Sequence, residues 1–142
     1  MTGQVKVLAQ ACIDPRFRYA FETFIQKKFQ VKSTEYDLKT DAGGIREIAL
    51  KTPIGDWLMK NARIAYEKHG ARTFVLCNHI DCAYYGGSAS FPVLGEERSV
   101  HNCDIKSAVG IYRKQFPDIK IYSYLVSKEE SPRERFIFQQ VV

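Results

Sequence analysis

The stretch TFVLCNHIDC, residues 73–82, decides how this chain is organised. Its first half, Thr73 to Cys77, is a short apolar run that predicts a buried strand. His79 and Cys82 follow where that strand should end, and a histidine and a cysteine at this spacing can reach one zinc ion from a single turn. The stretch therefore predicts a strand that carries two metal ligands at its carboxyl end.

A third ligand is expected near the N-terminus. Residues 5–12 form another strand-like segment, and Cys12 ends it. Because sites in parallel α/β sheets form at the carboxyl ends of neighbouring strands, Cys12 joins His79 and Cys82 if the two strands are adjacent. A cysteine alone is more typical of core packing. We interpret the three residues as Zn²⁺ ligands, with a fourth position left for water or an anion.

The rest of the chain alternates between helix and strand patterns. Apolar residues at helical spacing predict helices at residues 15–29, 45–49, 53–69 and 104–116. Strand patterns lie at residues 31–40, 119–126 and 135–142, and residues 88–99 are predicted to be a loop. This alternation predicts a single zinc-binding α/β domain over residues 1–142, with a mainly parallel central sheet of about four to five strands flanked by helices.

Composition narrows the class of protein. The chain has 142 residues, of which 45% are hydrophobic and 26% charged, so it is long enough for one core and is not a disordered chain. No apolar run is long enough to span a bilayer, and the N-terminus lacks a signal-peptide pattern. A cytoplasmic location is the expectation. Four cysteines are then more typical of buried thiols or metal ligands than of disulfides.

The net positive charge of the chain does not by itself indicate nucleic-acid binding. The net charge is +5 and the isoelectric point about 9.0, yet lysine and arginine are scattered and accompany no nucleic-acid motif. A solvated surface explains them. We expect no nucleic-acid partner and no membrane partner, and only a modest preference for small anions.

Two further groups of residues are candidates for chemistry. Arg16 can hold the Asp14 carboxylate by two parallel hydrogen bonds and keep it ionised. Asp14 could then accept a hydrogen bond from a zinc-bound hydroxide, or it could turn onto zinc as a fourth ligand. Gly43 and Gly44 precede a predicted helix and could expose backbone N–H groups to an anion, although a glycine pair is usually just a turn.

Several side chains keep two interpretations. Asp81 could hydrogen-bond the non-ligating nitrogen of His79, or be a solvated turn carboxylate. Tyr84 and Tyr85 could line a pocket over the metal or pack against the loop. His101 and Cys103 form another close pair that competes for the metal, and we expect them to be loop residues.

The order of these motifs resembles the β-class carbonic anhydrases. The resemblance covers about residues 5–87 and consists of Cys12-x-Asp14-x-Arg16, Ala42-Gly43-Gly44 and His79-x-x-Cys82. It implies Cys12, His79 and Cys82 as zinc ligands, and Asp14 and Arg16 as a catalytic dyad. The implied activity is the hydration of carbon dioxide to bicarbonate through a zinc-bound hydroxide.

The chain also departs from that family. Ala83 stands where a glycine usually follows the second cysteine, and Tyr84-Tyr85-Gly86-Gly87 comes next. Long helices that wrap the partner subunit normally precede the first ligand strand, whereas Cys12 is close to the first residue here. A homo-oligomer is therefore left open. The alternative hypothesis is a non-catalytic member that binds zinc, a small ligand or a partner.

Overall fold

A five-stranded sheet organises the computed structural model, which describes residues 4–130 and 133–142. Within those residues the strand order is β2-β1-β3-β4-β5; the first four strands are parallel and β5 is antiparallel to β4. The strands are β1 (Val7–Ala11), β2 (Tyr36–Thr40), β3 (Thr73–His79), β4 (Lys120–Glu129) and β5 (Arg135–Gln140). The α/β class and the mainly parallel sheet predicted from the sequence are confirmed.

Within the described ranges, four α-helices connect the strands: α1 (Pro15–Phe29), α2 (Arg46–Ala49), α3 (Pro53–Glu67) and α4 (Glu96–Gln115). Helices α1 and α3 begin at a proline, whose fixed φ suits the first helical turn. The side chain before each proline accepts a backbone N–H, at 2.9 Å for Asp14 and 3.1 Å for Thr52. Among the described residues, no helix has the length and apolar character needed to cross a bilayer.

Strand β3 separates two apolar layers. Phe74 and Leu76 point to a layer formed with α2, α3 and α4, while Val75 and Cys77 point to a layer formed with α1. Both faces of the strand are buried, which explains its continuous apolar run. Helices therefore cover both sides of the sheet, and Cys77 is a core residue as its sequence context suggested.

Helix α4 begins earlier than its apolar pattern indicates. The sequence predicted a loop at residues 88–99 and a helix at residues 104–116, but the helix begins at Glu96, after Gly95 with φ of 83°. The two glutamates of its first turn suit the positive end of the helix dipole. The first buried position of the helix is His101, a polar residue, so hydropathy misses this part. The prediction that His101 and Cys103 are loop residues is wrong.

The pairing of β1 with β3 positions the carboxyl ends of both strands. The two strands are parallel neighbours, with Val7 opposite Thr73 and Gln10 opposite Leu76. Strand β2 lies on the other side of β1, so the direction of winding reverses between β1 and β3. Such a reversal opens a crevice beyond the strand ends, which is where sites form in this class of sheet.

Candidate metal centre

Three ligand-type side chains meet in the crevice beyond β1 and β3. Cys12 follows the last residue of β1, His79 ends β3, and Cys82 lies three residues further on. One ligand atom from each of them lies within 4.8 Å of the others. Cys12 is half-buried, whereas His79 and Cys82 are 3% and 2% exposed. The structure thus brings together the three residues that the sequence singled out.

The distance between the two sulfurs and the unpartnered nitrogen of His79 fit a tetrahedral zinc ion. The two sulfur atoms are 3.8 Å apart. Two sulfurs each bound at about 2.3 Å to one tetrahedral zinc ion would be about 3.8 Å apart. His79 Nδ1 donates to the Ile80 carbonyl at 2.9 Å, which fixes the tautomer and directs the lone pair to Nε2. His79 Nε2 is buried without a hydrogen-bond partner, as expected for a nitrogen that awaits a metal.

The protonation of the two thiols responds to their contact. The Cys82 thiol donates to the Cys12 sulfur and lowers the pKa of Cys12. Burial of Cys12 acts in the opposite direction but has a smaller effect, and the N–H groups of Asp14 and Gly43 lower the pKa further. The pKa of Cys82 is raised, first by its bond to Cys12 and then by burial. Burial lowers the pKa of His79, but the neighbouring Cys12 sulfur, the Ile80 carbonyl and the Asp14 carboxylate together outweigh burial and leave the pKa raised. Without a metal the two sulfurs therefore share a proton, and a cation would displace it.

Asp14 and Arg16 form the bidentate pair that the sequence predicted. Arg16 Nε donates to the carboxylate at 3.1 Å and Arg16 Nη2 donates to Asp14 Oδ2 at 2.7 Å. These bonds lower the pKa of Asp14, and its carboxylate is therefore ionised near neutral pH. Asp14 Oδ2 also lies 3.7 Å from His79 Nε2, so the carboxylate faces the position a metal would take.

Gly43 and Gly44 have a structural function in the turn before α2. Their φ angles are 77° and 61°, in the left-handed region that favours glycine. A Cβ at Gly44 would lie 2.4 Å from Asn78 Oδ1 and 2.7 Å from the Cys77 carbonyl oxygen. The Gly44 N–H donates to the Asp41 carbonyl, and the Gly43 N–H faces the Cys12 sulfur. The turn therefore packs against the end of β3 beside Cys12, and anion binding by these glycines stays a prediction.

Asp81 does not reach the histidine nitrogen that the sequence offered it, because the Ile80 carbonyl occupies that nitrogen. Its carboxylate instead accepts a bond from Arg16 at 3.0 Å and one from the Ser88 N–H at 2.9 Å. Arg16 also donates to the Asp81 carbonyl at 2.8 Å. The contact joins residues 65 apart, and neither segment of the sequence carries a signal for it.

A buried polar network lies behind His79 and Cys82, and the sequence did not predict it. Asn78, 2% exposed, accepts the Ile45 N–H at 3.1 Å and donates to the hydroxyl of Tyr85 and to His101 Nδ1. Tyr85 donates in turn to Asp104 at 2.7 Å. The His101 ring packs against Tyr85 with the two ring planes tilted by 43°, and His101 does not belong to the group of possible metal ligands. The one feature of the sequence that could have indicated this network is His101, a polar residue at a helical spacing where the other residues are apolar.

A cleft of about 450 Å³ opens over the ligands. Tyr84 stands on its rim, with its ring against Gly43 and its hydroxyl bonded to Glu47. Each of the two interpretations therefore holds for one tyrosine: Tyr84 lines the cleft, and Tyr85 is buried and packs in the protein interior. The cleft is lined by Cys12, Ile13, Asp14, Pro15, Ala42, Gly43, Cys82, Ala83 and Tyr84.

Comparison with known proteins gives a family and a set of similar folds. A sequence profile of the family described as "Putative carbonic anhydrase" matches residues 2–134. No curated protein sequence matches the chain significantly.

Solved structures resemble the whole chain. A carbonic anhydrase from Glaciozyma antarctica has 17% identity and a TM-score of 0.60, covering 100% of this chain and 85% of that one. A carbonic anhydrase from Streptococcus mutans has 14% identity and a TM-score of 0.58, covering 95% and 82%. The β-carbonic anhydrase isoform I of Trichomonas vaginalis has 16% identity and a TM-score of 0.56, covering 98% and 86%. At these identities the likeness concerns the fold.

Proposed function

Because the chain belongs to the "Putative carbonic anhydrase" family, we propose that it binds zinc through Cys12, His79 and Cys82 and interconverts carbon dioxide and bicarbonate. The observation that carries the proposal is the convergence of these three ligand atoms within 4.8 Å, with the Asp14–Arg16 pair beside them. Zinc, when bound, supplies a Lewis acid that makes water a nucleophile near neutral pH. The free thiols suit a reducing compartment, so a cytoplasmic location belongs to the proposal.

The side chains of the site have separate tasks in this proposal. Asp14 accepts the O–H of the attacking nucleophile at Oδ2 and thereby directs its lone pair at carbon dioxide. Arg16 keeps Asp14 ionised and fixes its orientation through two parallel hydrogen bonds. Tyr84 limits the cleft to small substrates from its position on the rim. Bicarbonate leaves through the same cleft.

Zinc analysis together with stopped-flow carbon dioxide hydration tests this proposal. We expect about one zinc ion per chain and measurable hydration for the wild type, and loss of both for Cys12→Ser. Cys103→Ser is the matched control, because Cys103 is an exposed thiol outside the cluster. Hydration by Cys12→Ser at the wild-type rate would reject the proposal.

A non-catalytic zinc protein is the second candidate. It is favoured by one distance, the 3.7 Å between Asp14 Oδ2 and His79 Nε2, since a carboxylate this close can turn onto the metal and close the site with four protein groups. X-ray absorption at the zinc edge separates the candidates. A two-sulfur, one-nitrogen, one-oxygen shell that added anions leave unchanged at every pH supports the closed site, whereas an oxygen displaced by anions supports the enzyme.

A further inference from the structure

The guanidinium of Arg16 is held from two sides. One edge, formed by Nε and Nη2, holds Asp14, and the other side donates to the carboxylate and the backbone carbonyl of Asp81 at 3.0 and 2.8 Å. The Arg16 side chain is 47% exposed, so without the second anchor it could turn into solvent. An isolated exposed ion pair contributes little, but a network with bidentate geometry restricts the side chain more strongly.

Asp81 is itself fixed in place. It lies between the ligands His79 and Cys82 and has a φ of 62°, a left-handed conformation that L-residues other than asparagine and aspartate rarely adopt. Its N–H donates to Glu97 at 2.6 Å, and its carboxylate accepts the N–H of Ser88. The second carboxylate oxygen of Glu97 accepts the Ser88 hydroxyl at 2.8 Å. Helix α4 thus sets the direction in which the Asp81 carboxylate points.

We propose that Asp81, anchored by Glu97, is a positioning residue that holds Arg16 against Asp14 and so keeps the Asp14 carboxylate off the fourth metal position. The inference rests on the proposed function, because it concerns the same metal site. Asp14 has two alternatives, the Arg16 guanidinium or the metal, and the 3.7 Å between Asp14 Oδ2 and His79 Nε2 makes the second reachable. An Arg16 that is fixed at its far side favours the first alternative, because the guanidinium is already oriented for two bonds.

The test uses the full chain loaded with Co²⁺, whose visible absorption bands report the ligand set, and thiocyanate as a ligand for the fourth position. Asp81→Asn keeps an acceptor for the Ser88 N–H and suits the left-handed conformation, but it places an amide N–H₂ against the Arg16 donor. We expect the thiocyanate dissociation constant to rise about 10-fold, because the released Asp14 competes for the metal. Loss of a negative charge alone would have the opposite effect and tighten anion binding.

Two further variants separate positioning from general damage. In an Asp14→Asn background, Asp81→Asn should no longer weaken thiocyanate binding, because the competing carboxylate is gone and only the tightening from the lost charge remains. Asp118→Asn is the matched control, since Asp118 pairs with Arg72 at 3.3 Å on another part of the surface. If Asp81→Asn does not fold, Glu97→Gln is used instead, and we expect a smaller rise in the same direction.

The outcomes distinguish the two proposals. A wild type that binds Co²⁺ and thiocyanate, with no change in Asp81→Asn or with the same change in the Asp14→Asn background, overturns this inference and leaves the metal site standing. A wild type that shows no Co²⁺ bands overturns both. A rise in Asp81→Asn that disappears in the Asp14→Asn background supports the positioning role.

Discussion

The two loops that supply the proposed metal ligands are held by different forces. The β1 loop, residues 12–16, is held by ion pairs at the surface, where the side chain of Arg16 is 47% exposed. The β3 loop, residues 78–88, is held from behind by a hydrogen-bond network in which Asn78 and His101 are almost completely buried. Removing one partner of a buried hydrogen bond lowers the free energy of unfolding strongly, whereas removing one partner of an exposed ion pair lowers it little. The β3 loop is therefore expected to contribute to the stability of the site, and the β1 loop to its reactivity.

The largest expected effect comes from breaking the β3 loop at Asn78. Asn78→Ala leaves the Ile45 N–H and His101 Nδ1 without their partner in the core. We expect the free energy of unfolding to fall by about 3 kcal/mol, measured by urea denaturation. Asn61→Ala on the exposed face of α3 is the control. A loss for Asn78→Ala no greater than that for Asn61→Ala would refute the comparison.

A smaller effect, which depends on pH, is expected from His101. Burial, followed by the positive charges of His79 and Arg46, lowers the pKa of His101 from 6.5 to about 4. The unfolded chain binds this proton near pH 6.5 and the folded chain does not, so stability is lost as the pH falls from 6.5 towards 4. The nearest acidic group, Glu97, lies 4.0 Å from His101 Nε2 and is too distant for a normal hydrogen bond.

His101→Asn removes this titration and keeps an acceptor for Asn78. Between pH 8 and pH 5 we expect the wild type to lose about 2 kcal/mol more than the variant in free energy of unfolding, because the wild-type penalty comes from the shifted pKa. Urea denaturation at several pH values measures the difference. Parallel stability curves for the two proteins would show that His101 does not titrate in this way.

The smallest effect is expected in the β1 loop, and it should fall on rate rather than on folding. Arg16→Lys keeps the charge but cannot form the two parallel bonds to Asp14. We expect kcat/KM for carbon dioxide hydration to fall about 10-fold, with zinc content and the unfolding midpoint unchanged. Arg18→Lys, two residues further along α1 and exposed, controls for the exchange itself. An unchanged kcat/KM would remove the pair from the mechanism.

Most of the sheet could be predicted from the sequence because the patterns that specify its strands are local. The apolar run of Thr73–His79 and the proline starts of α1 and α3 are local features that backbone physics converts directly into strands and helices. The ligand set followed from one rule, that parallel neighbours end at the same edge of a sheet. The Asp14–Arg16 pair spans only two residues, so its geometry was predictable as well.

The missed features depend on contacts between distant residues or on buried polar groups. Arg16 and Asp81 are 65 residues apart, and nothing in either segment specifies the other. His101 occupies a core position that hydropathy assigns to apolar residues, so both the start of α4 and the network behind Asn78 were overlooked. The left-handed backbone of Asp81, which directs its carboxylate, is likewise set by bonds to Glu97 and Ser88 that only the folded chain provides.

The adjacency of β1 and β3 has a consequence for the order of events in folding. Cys12 and Cys82 are 70 positions apart, and α1, β2, α2, α3 and β3 lie between them along the chain. Closing so large a segment costs entropy that only the paired strands and their packed helices can offset. If the chain binds a metal as proposed, the ion would find its three ligands assembled only after half of the protein has acquired its native topology, and it would stabilise a folded protein instead of starting the folding.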